Sequence, residues 1–302
     1  MTLNQQTAEL LELLDSFGMP PIEETTPQEA RDARAAMLRP SSEPIADTRD
    51  VDADGVPCRW YRPERTRNAG LLVWLHGGGW VLGDLDSADD ACRAMANRAG
   101  CCVLSVEYRL APEHPFPAGL DDARTAVCWA VAHAAELGVE PGVLAIGGDS
   151  AGANLAAVIA NERVVPLRLQ VLVYPATDAR MEQPSISANA DGYFLTAAGI
   201  RWFYDHYLSG GEGTPDDPAV SPLLATDDVL AGGPPAIVIT AEYDPLRDDG
   251  VAYAARLAAA GVRVSHVDFA GQIHAFFSVF DILDDARSAH ALVGEALHTA
   301  LR

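Results

Sequence analysis

A serine, an acid and a histidine, the three residue types that cooperate in acyl transfer, occur in this order along the chain, each where a strand is expected to end. The serine stands in Gly147-Gly148-Asp149-Ser150-Ala151-Gly152, between the apolar run 143–146 and an Ala-rich, helix-forming stretch. This reads as strand, sharp turn, helix. In a Gly-x-Ser-x-Gly turn the serine sits in strained backbone at the tip, so the residues two before and two after it must lack bulk. Gly148 and Gly152 fill those places. Such a turn lifts the Ser150 hydroxyl out of the sheet and aims the free N–H groups of the next helix at whatever binds there. It supplies a nucleophile and part of an oxyanion site. Taken alone, the pentapeptide fits a Gly-rich turn with an N-capping serine equally well.

A nucleophilic serine needs a base, and the base needs an acid that fixes its tautomer. On a sheet with the order serine, acid, histidine, the histidine is one of His266, His274, His290 and His298. His266 falls inside an expected strand and the last two lie on the terminal helix. His274, in Gly271-Gln272-Ile273-His274-Ala275-Phe276, follows the last strand, in a loop at the carboxyl end of the sheet where sites assemble. For the acid, the strand ending at Ala241 runs into Glu242-Tyr243-Asp244-Pro245. Asp244 before Pro245 also suits a helix N-cap with proline in the first position, and Glu242 stays open as the alternative. Upstream, His76-Gly77-Gly78-Gly79 ends a strand with a run lacking Cβ atoms, so successive N–H groups can approach a ligand closely. Paired with a later serine elbow, the run reads as donors for a tetrahedral oxyanion rather than as a flexible turn or a phosphate nest.

The elements that must position these residues alternate. Helices are expected at 3–17 and from Pro27 to Leu38, then a hairpin turning at Asp54-Gly55. Strands are expected at 71–75, 102–106, 143–147, 169–174, 236–241 and 262–269, and helices at 87–99, 118–137, 152–163, 246–260 and 284–301. This predicts an α/β fold, a mostly parallel sheet with helices on both faces. The stretch 180–232, rich in Gly, Pro and aromatics, is too long for an idle loop and reads as a lid.

Composition excludes several chemistries. Of 302 residues, 49% are hydrophobic and 21% charged, and 43 acidic against 21 basic residues leave a net charge of −22. A chain so acidic is repelled by nucleic acid and by anionic membranes. It contains no lysine, so Schiff-base chemistry, pyridoxal phosphate anchoring and a P-loop lysine are ruled out. Gly-x-Gly-x-x-Gly, His-Glu-x-x-His and Cys-x-x-Cys are also missing, and neither a metal nor a cofactor is expected. Cys58, Cys92, Cys101, Cys102 and Cys128 are expected as buried thiols in a reducing compartment. No basic residue precedes Arg31, Glu9 and Glu12 interrupt the leading leucine-rich stretch, and no uncharged apolar run reaches the length of a membrane span. The expectation is a cytoplasmic protein.

Five separated motifs together resemble the hormone-sensitive-lipase-like family of bacterial carboxylesterases. They are His76-Gly77-Gly78-Gly79-Trp80, the run from Tyr108 to Ala118, Gly148 to Gly152, Asp244-Pro245-Leu246-Arg247-Asp248, and Gly271 to Phe276. The resemblance spans residues from about 70 to 300, with Glu107 standing where many members have Asp. It implies an α/β-hydrolase fold with a triad of Ser150, Asp244 and His274, and oxyanion donors at the N–H groups of Gly78, Gly79 and Ala151. It also implies a helical cap built from residues 1–45 and 181–232 over a catalytic core of 46–180 and 233–302. The implied activity is hydrolysis of short- to medium-chain acyl esters of soluble alcohols, with no cofactor, and with pairing of two copies through the sheet edge and terminal helix. Trp80, Tyr193, Phe194 and Phe203 are candidates to line the substrate pocket, with Trp202 and Tyr207 nearby. Two other readings of the same residues are an amide or formamide hydrolase, and a small-ligand receptor of the same fold, in which the catalytic histidine is lost.

Overall fold

A computed structural model describes residues 2–302. Strands β1 (Asp47–Ala53) and β2 (Val56–Arg62) form the expected hairpin, turning through Asp54 and Gly55 at φ 54° and 92°. Six more strands follow, β3 (Leu71–Leu75), β4 (Cys102–Val106), β5 (Leu144–Asp149), β6 (Leu169–Val173), β7 (Ala236–Tyr243) and β8 (Val264–Ile273). The sheet order is β1-β2-β4-β3-β5-β6-β7-β8, with β2 antiparallel to both neighbours and the rest parallel.

Strands β3, β4 and β6 are buried at every residue, Ser105 and Gln170 included, as strands covered on both faces must be. Side chains alternate between the faces. Leu71, Val73 and Leu75 join the core layer beneath helices α4 (Ala118–Ala132), α5 (Ala151–Glu162) and α9 (Arg247–Ala259). Leu72 and Trp74 join the opposite layer, beneath α3 (Asp89–Ala99) and α10 (Asp284–Ala300). Helix α5 is buried from Ala151 to Asn161, and its small residues let it lie against the sheet: a Cβ on Gly152 would collide with the Leu75 carbonyl.

Helix α2 (Pro27–Met37) and the 180–232 stretch meet over the loops that follow β3 and β4. Helix α1 (Gln5–Ser16) packs on β8, where Thr7 Oγ donates to Gln272 Oε1 at 2.9 Å and the Asn4 N–H donates to the Gly271 carbonyl at 3.0 Å. Helix α2 opens with a Thr26/Glu29 capping box. Its Arg31 donates to the carbonyls of Val81 (2.9 Å) and Ala111 (2.8 Å) and forks onto Glu113. The stretch expected to form a lid holds three helices, α6 (Pro184–Ala188), α7 (Ala197–Tyr207) and α8 (Asp227–Leu230). Trp202 and Phe203 of α7 pack with Ile22 and Ala30 against Val81, Leu82 and Ala111.

Arg31 therefore ties α2 to the loops that follow β3 and β4. Replacing it by alanine is expected to destabilise the protein by about 2 kcal/mol, because two partly buried, charge-assisted bonds to carbonyls are lost. Glu113→Gln is expected to cost under about 1 kcal/mol, since the carboxylate is half exposed. Urea midpoints at constant slope check both values.

Three local expectations change. Strand β8 runs on to Ile273 rather than ending at 269, helix α4 ends at Ala132 rather than 137, and Cys128 is exposed whereas the other four cysteines are buried. Cys128 lies seven residues beyond Asp121, on the same outward face of α4, while Val127 and Trp129 beside it turn inward. No helix among the described residues is long and apolar enough to cross a membrane.

Candidate active site

Strand β5 ends in the elbow. Ser150 has φ 54° and ψ −119°, a conformation that costs a side chain of order 1–3 kcal/mol and must be held by its surroundings. Its N–H is tied to the Val173 carbonyl at 2.8 Å, and a Cβ on Gly148 would collide with the backbone of Gly152. Although Ser150 occupies the N-cap position of α5, its side chain caps nothing. The hydroxyl lies instead 2.9 Å from His274 Nε2. His274 Nδ1 is 2.7 Å from Asp244 Oδ2, and the other oxygen of Asp244 accepts the Leu246 N–H at 2.8 Å. Asp244 is fully buried and His274 is 6% exposed, so this chain of bonds is sheltered from competing water.

The other candidates have different partners. Glu242 accepts the Gly271 N–H at 2.7 Å and so braces the turn ahead of His274. His266 bonds to Thr240 on the neighbouring strand. His290 stacks on Phe277, bonds to its carbonyl, and is pushed down to about 3 by burial. His298 bonds to Arg302. Of the four histidines only His274 meets both a serine and a carboxylate.

The glycine run adjoins the elbow, where a Cβ on Gly152 would collide with the carbonyls of Leu75 and His76. Gly78 and Gly79 have φ 127° and 59°, values that favour residues without a Cβ, and a side chain on Gly79 would collide with the Phe203 ring. Among the described residues, the N–H groups of Gly78, Gly79 and Ala151 donate to no protein acceptor. They are three free donors, one at the N-terminus of α5 and two in the loop that adjoins the elbow through Gly77.

Residues not singled out in the sequence hold this loop. Asp149 Oδ1 accepts the Gly77 N–H at 3.0 Å. Tyr108 donates its hydroxyl to the His76 carbonyl at 2.6 Å, and its ring stacks on the His76 imidazole at 4.3 Å. His76 Nδ1 lies 2.9 Å from the Gly77 carbonyl, and burial pushes this histidine down to about 4, so it is a neutral donor at ordinary pH. Burial pushes the Asp149 carboxyl upward, opposed by the nearby Arg34 cation and by the Gly77 N–H. The signal for Asp149 and Tyr108 was their place inside two of the motifs; Arg34 carried none.

The four aromatic candidates separate. Phe203 touches the glycine run at Gly79. Tyr193 packs on Tyr243, one residue from Asp244, with ring centres 4.9 Å apart, and Phe194 is exposed. Trp80 is 3% exposed, stacked on Tyr207 at 4.3 Å and close to Tyr204, which leaves little of its ring to face a ligand. It anchors the loop to α7.

A family model described as the alpha/beta hydrolase fold matches residues 72–278. Carboxylic ester hydrolase LipN of Mycobacterium tuberculosis is 43% identical over 249 residues, which span 78% of this chain and 66% of that protein. Ethyl acetate hydrolase of Pseudomonas putida is 38% identical over 321 residues, with 100% of each chain covered. Among solved structures, that of a thermostable esterase from Pseudomonas putida ECU1011 matches with a TM-score of 0.93 at 34% identity, over 100% of this chain and 98% of that one. With this fold and these relatives, the chain belongs to the α/β-hydrolase family and, within it, to the hormone-sensitive-lipase-like carboxylic ester hydrolases.

Proposed function

We propose that the chain is a serine carboxylesterase acting on short- to medium-chain acyl esters through an acyl-enzyme. The observation that carries this reading is the continuous chain Ser150 Oγ, His274 Nε2, His274 Nδ1, Asp244 Oδ2, and the N–H groups of Gly78, Gly79 and Ala151, which have no acceptor, support it. With Nδ1–H donated to Asp244, Nε2 is free to accept the Ser150 proton as Oγ attacks the ester carbonyl. The carbonyl oxygen becomes an oxyanion held by the N–H groups of Gly78, Gly79 and Ala151. His274 then protonates the departing alkoxide, and the alcohol leaves Ser150 acylated. Water, deprotonated by the same histidine, attacks the acyl carbon and releases the acid, and the proton returns to Ser150.

Residues 1–45 and 181–232 form a cap in this reading, and 46–180 with 233–302 form the catalytic core. The packing of α2 and α7 on the oxyanion loop supports the division. The name of the ethyl acetate hydrolase and the Phe203 ring against Gly79 both favour small acyl groups. Four buried, unpaired thiols fit a cytoplasmic setting. Strand β8 is an edge of the sheet, and two copies are expected to pair along it together with α10; sedimentation gives the stoichiometry.

Hydrolysis of p-nitrophenyl esters from acetate to palmitate, beside matched anilides, tests the substrate reading. Turnover is expected to peak between acetate and octanoate, with anilides slower throughout. A maximum at palmitate would overturn the chain-length assignment, and faster anilides would make the protein an amidase.

A further inference from the structure

Strand β7 reaches Asp244 with little of the sheet left to hold it. Its pairing with β6 ends where Ile239 meets Val173, and its register against β8 slips between Ala241 and Tyr243. The carboxylate that lies 2.7 Å from His274 Nδ1 is therefore carried on backbone with a strand partner on one side only. Part of what fixes that backbone must come from outside the sheet.

Helix α6 reaches it. Asn189, at the C-cap of α6, is buried and donates from its side-chain nitrogen to two carbonyls, that of Glu242 at 3.2 Å and that of Asp244 itself at 3.1 Å. Only the NH₂ end of an amide can meet two carbonyls, so the partners fix its orientation. Four residues earlier, Ser185 is fully buried against the next turn of the chain. Its hydroxyl donates to the Pro245 carbonyl at 2.6 Å and accepts the Asp248 N–H at 3.0 Å, while its own N–H donates to Asp248 Oδ2 at 3.0 Å. Asn189 is not needed to satisfy the two carbonyls it meets. The Asp244 carbonyl also accepts the Arg247 N–H at 3.0 Å, and the Glu242 carbonyl accepts Arg247 Nη1 at 3.4 Å. A buried amide is costly unless its donors are used, and an apolar side chain would fill the space without that cost. What the amide adds is placement, since two bonds to successive parts of one loop hold it in two directions.

We propose that Asn189 is a positioning residue of the triad: by bonding the main chain on either side of Tyr243 it sets the place of Asp244 against His274. The proposal rests on the reading of Asp244 as the acid. The same segment covers the residue between the two bonded carbonyls, because the Tyr193 ring packs on Tyr243 with centres 4.9 Å apart. Without Asn189 the Leu246 N–H still holds Asp244 Oδ1, but the backbone beneath the carboxylate is free to shift. A histidine whose acid has moved is held less firmly in the tautomer and direction that Ser150 requires.

The test is steady-state hydrolysis of p-nitrophenyl acetate by Asn189→Ala, Asp244→Asn, the Asn189→Ala/Asp244→Asn double variant, and Ser187→Ala, which alters an exposed position of α6. Asn189→Ala is expected to lower kcat about 30-fold, short of the roughly 10²-fold cost of a 1 Å misplacement, with KM little changed. In the Asp244→Asn background the same substitution adds nothing, because the acid whose place it sets is already gone. Ser187→Ala keeps wild-type kinetics, which separates loss of the clamp from a general loosening of α6. Losses that multiply in the double variant would overturn the proposal, as would a matching loss in Ser187→Ala or an unchanged kcat in folded Asn189→Ala. An effect on KM alone would also overturn it, by making α6 a wall of the substrate site. Full activity in Asp244→Asn would instead remove the acid reading on which the proposal stands. Should Asn189→Ala fail to fold, Asn189→Ser, which keeps one donor, takes its place in the same cycle, and a loss confined to kcat and absent from the Asp244→Asn background is again the expected result.

Discussion

Replacing Ser150 by alanine is expected to lower kcat for p-nitrophenyl acetate by about 10⁶-fold, by analogy with other triads whose nucleophile is removed. The magnitude follows from the role proposed for Oγ: without it no covalent bond to the acyl group forms, and the whole two-step path closes. Substrate binding and the free N–H groups of Gly78, Gly79 and Ala151 remain, so a residual acceleration over water of about 10³-fold is expected to survive. The fold is expected to survive as well, because alanine keeps the Cβ that the φ 54° backbone already accommodates and the serine side chain caps nothing. Pre-steady-state kinetics with excess ester give a second readout. Wild type is expected to show a burst of p-nitrophenolate as the acyl-enzyme accumulates, and the variant none. Activity within 10-fold of wild type would remove Ser150 from the mechanism, whatever its distance from His274.

The legible parts of this fold are those in which one physical rule dominates. Strand β3 begins and ends where its apolar run does, because a strand covered on both faces is chiefly apolar, and Gly70 and His76 bound the run. The serine elbow was legible because its sterics demand glycine at two places. Legibility failed where distant residues share one local role. Strand β8 continues through Gly271 and Gln272, which break its apolar pattern, because Gln272 is buried against Thr7 of α1 and Glu242 holds the Gly271 N–H. Neither partner is near in sequence. Helix α7 was hidden by its aromatic content, which reads as loop or lid, although Thr196 caps it by accepting the Gly199 N–H. The choice between Glu242 and Asp244 was likewise undecidable from spacing. A register shift between β7 and β8 at Ala241/Tyr243 separates the two carboxylates, sending one to Gly271 and the other to His274.

The separation of those carboxylates sets up the second large effect. Asp244→Asn is expected to lower kcat by about 10⁴-fold, the scale of a triad in which the histidine is held in the wrong tautomer. Asp244 is fully buried, with one oxygen on the Leu246 N–H and the other on His274 Nδ1. An asparagine has one oxygen, and Leu246 offers only a donor, so the amide keeps its oxygen there and turns its NH₂ towards the imidazole. Nδ1 must then accept, the ring proton moves to Nε2, and the nitrogen facing Ser150 becomes a donor that cannot take the hydroxyl proton. The opposite flip sets two buried donors against each other, at a cost of 1–3 kcal/mol or more. Glu242→Gln meets no such conflict, because its amide oxygen can still accept the Gly271 N–H, and its kcat is expected to stay within about 3-fold of wild type. Measuring both variants decides the acid. A large loss in Asp244→Asn with little in Glu242→Gln keeps Asp244 in the role, and the reverse pattern transfers it to Glu242. Losses of equal size would mean that bracing the turn ahead of His274 matters as much as orienting the ring.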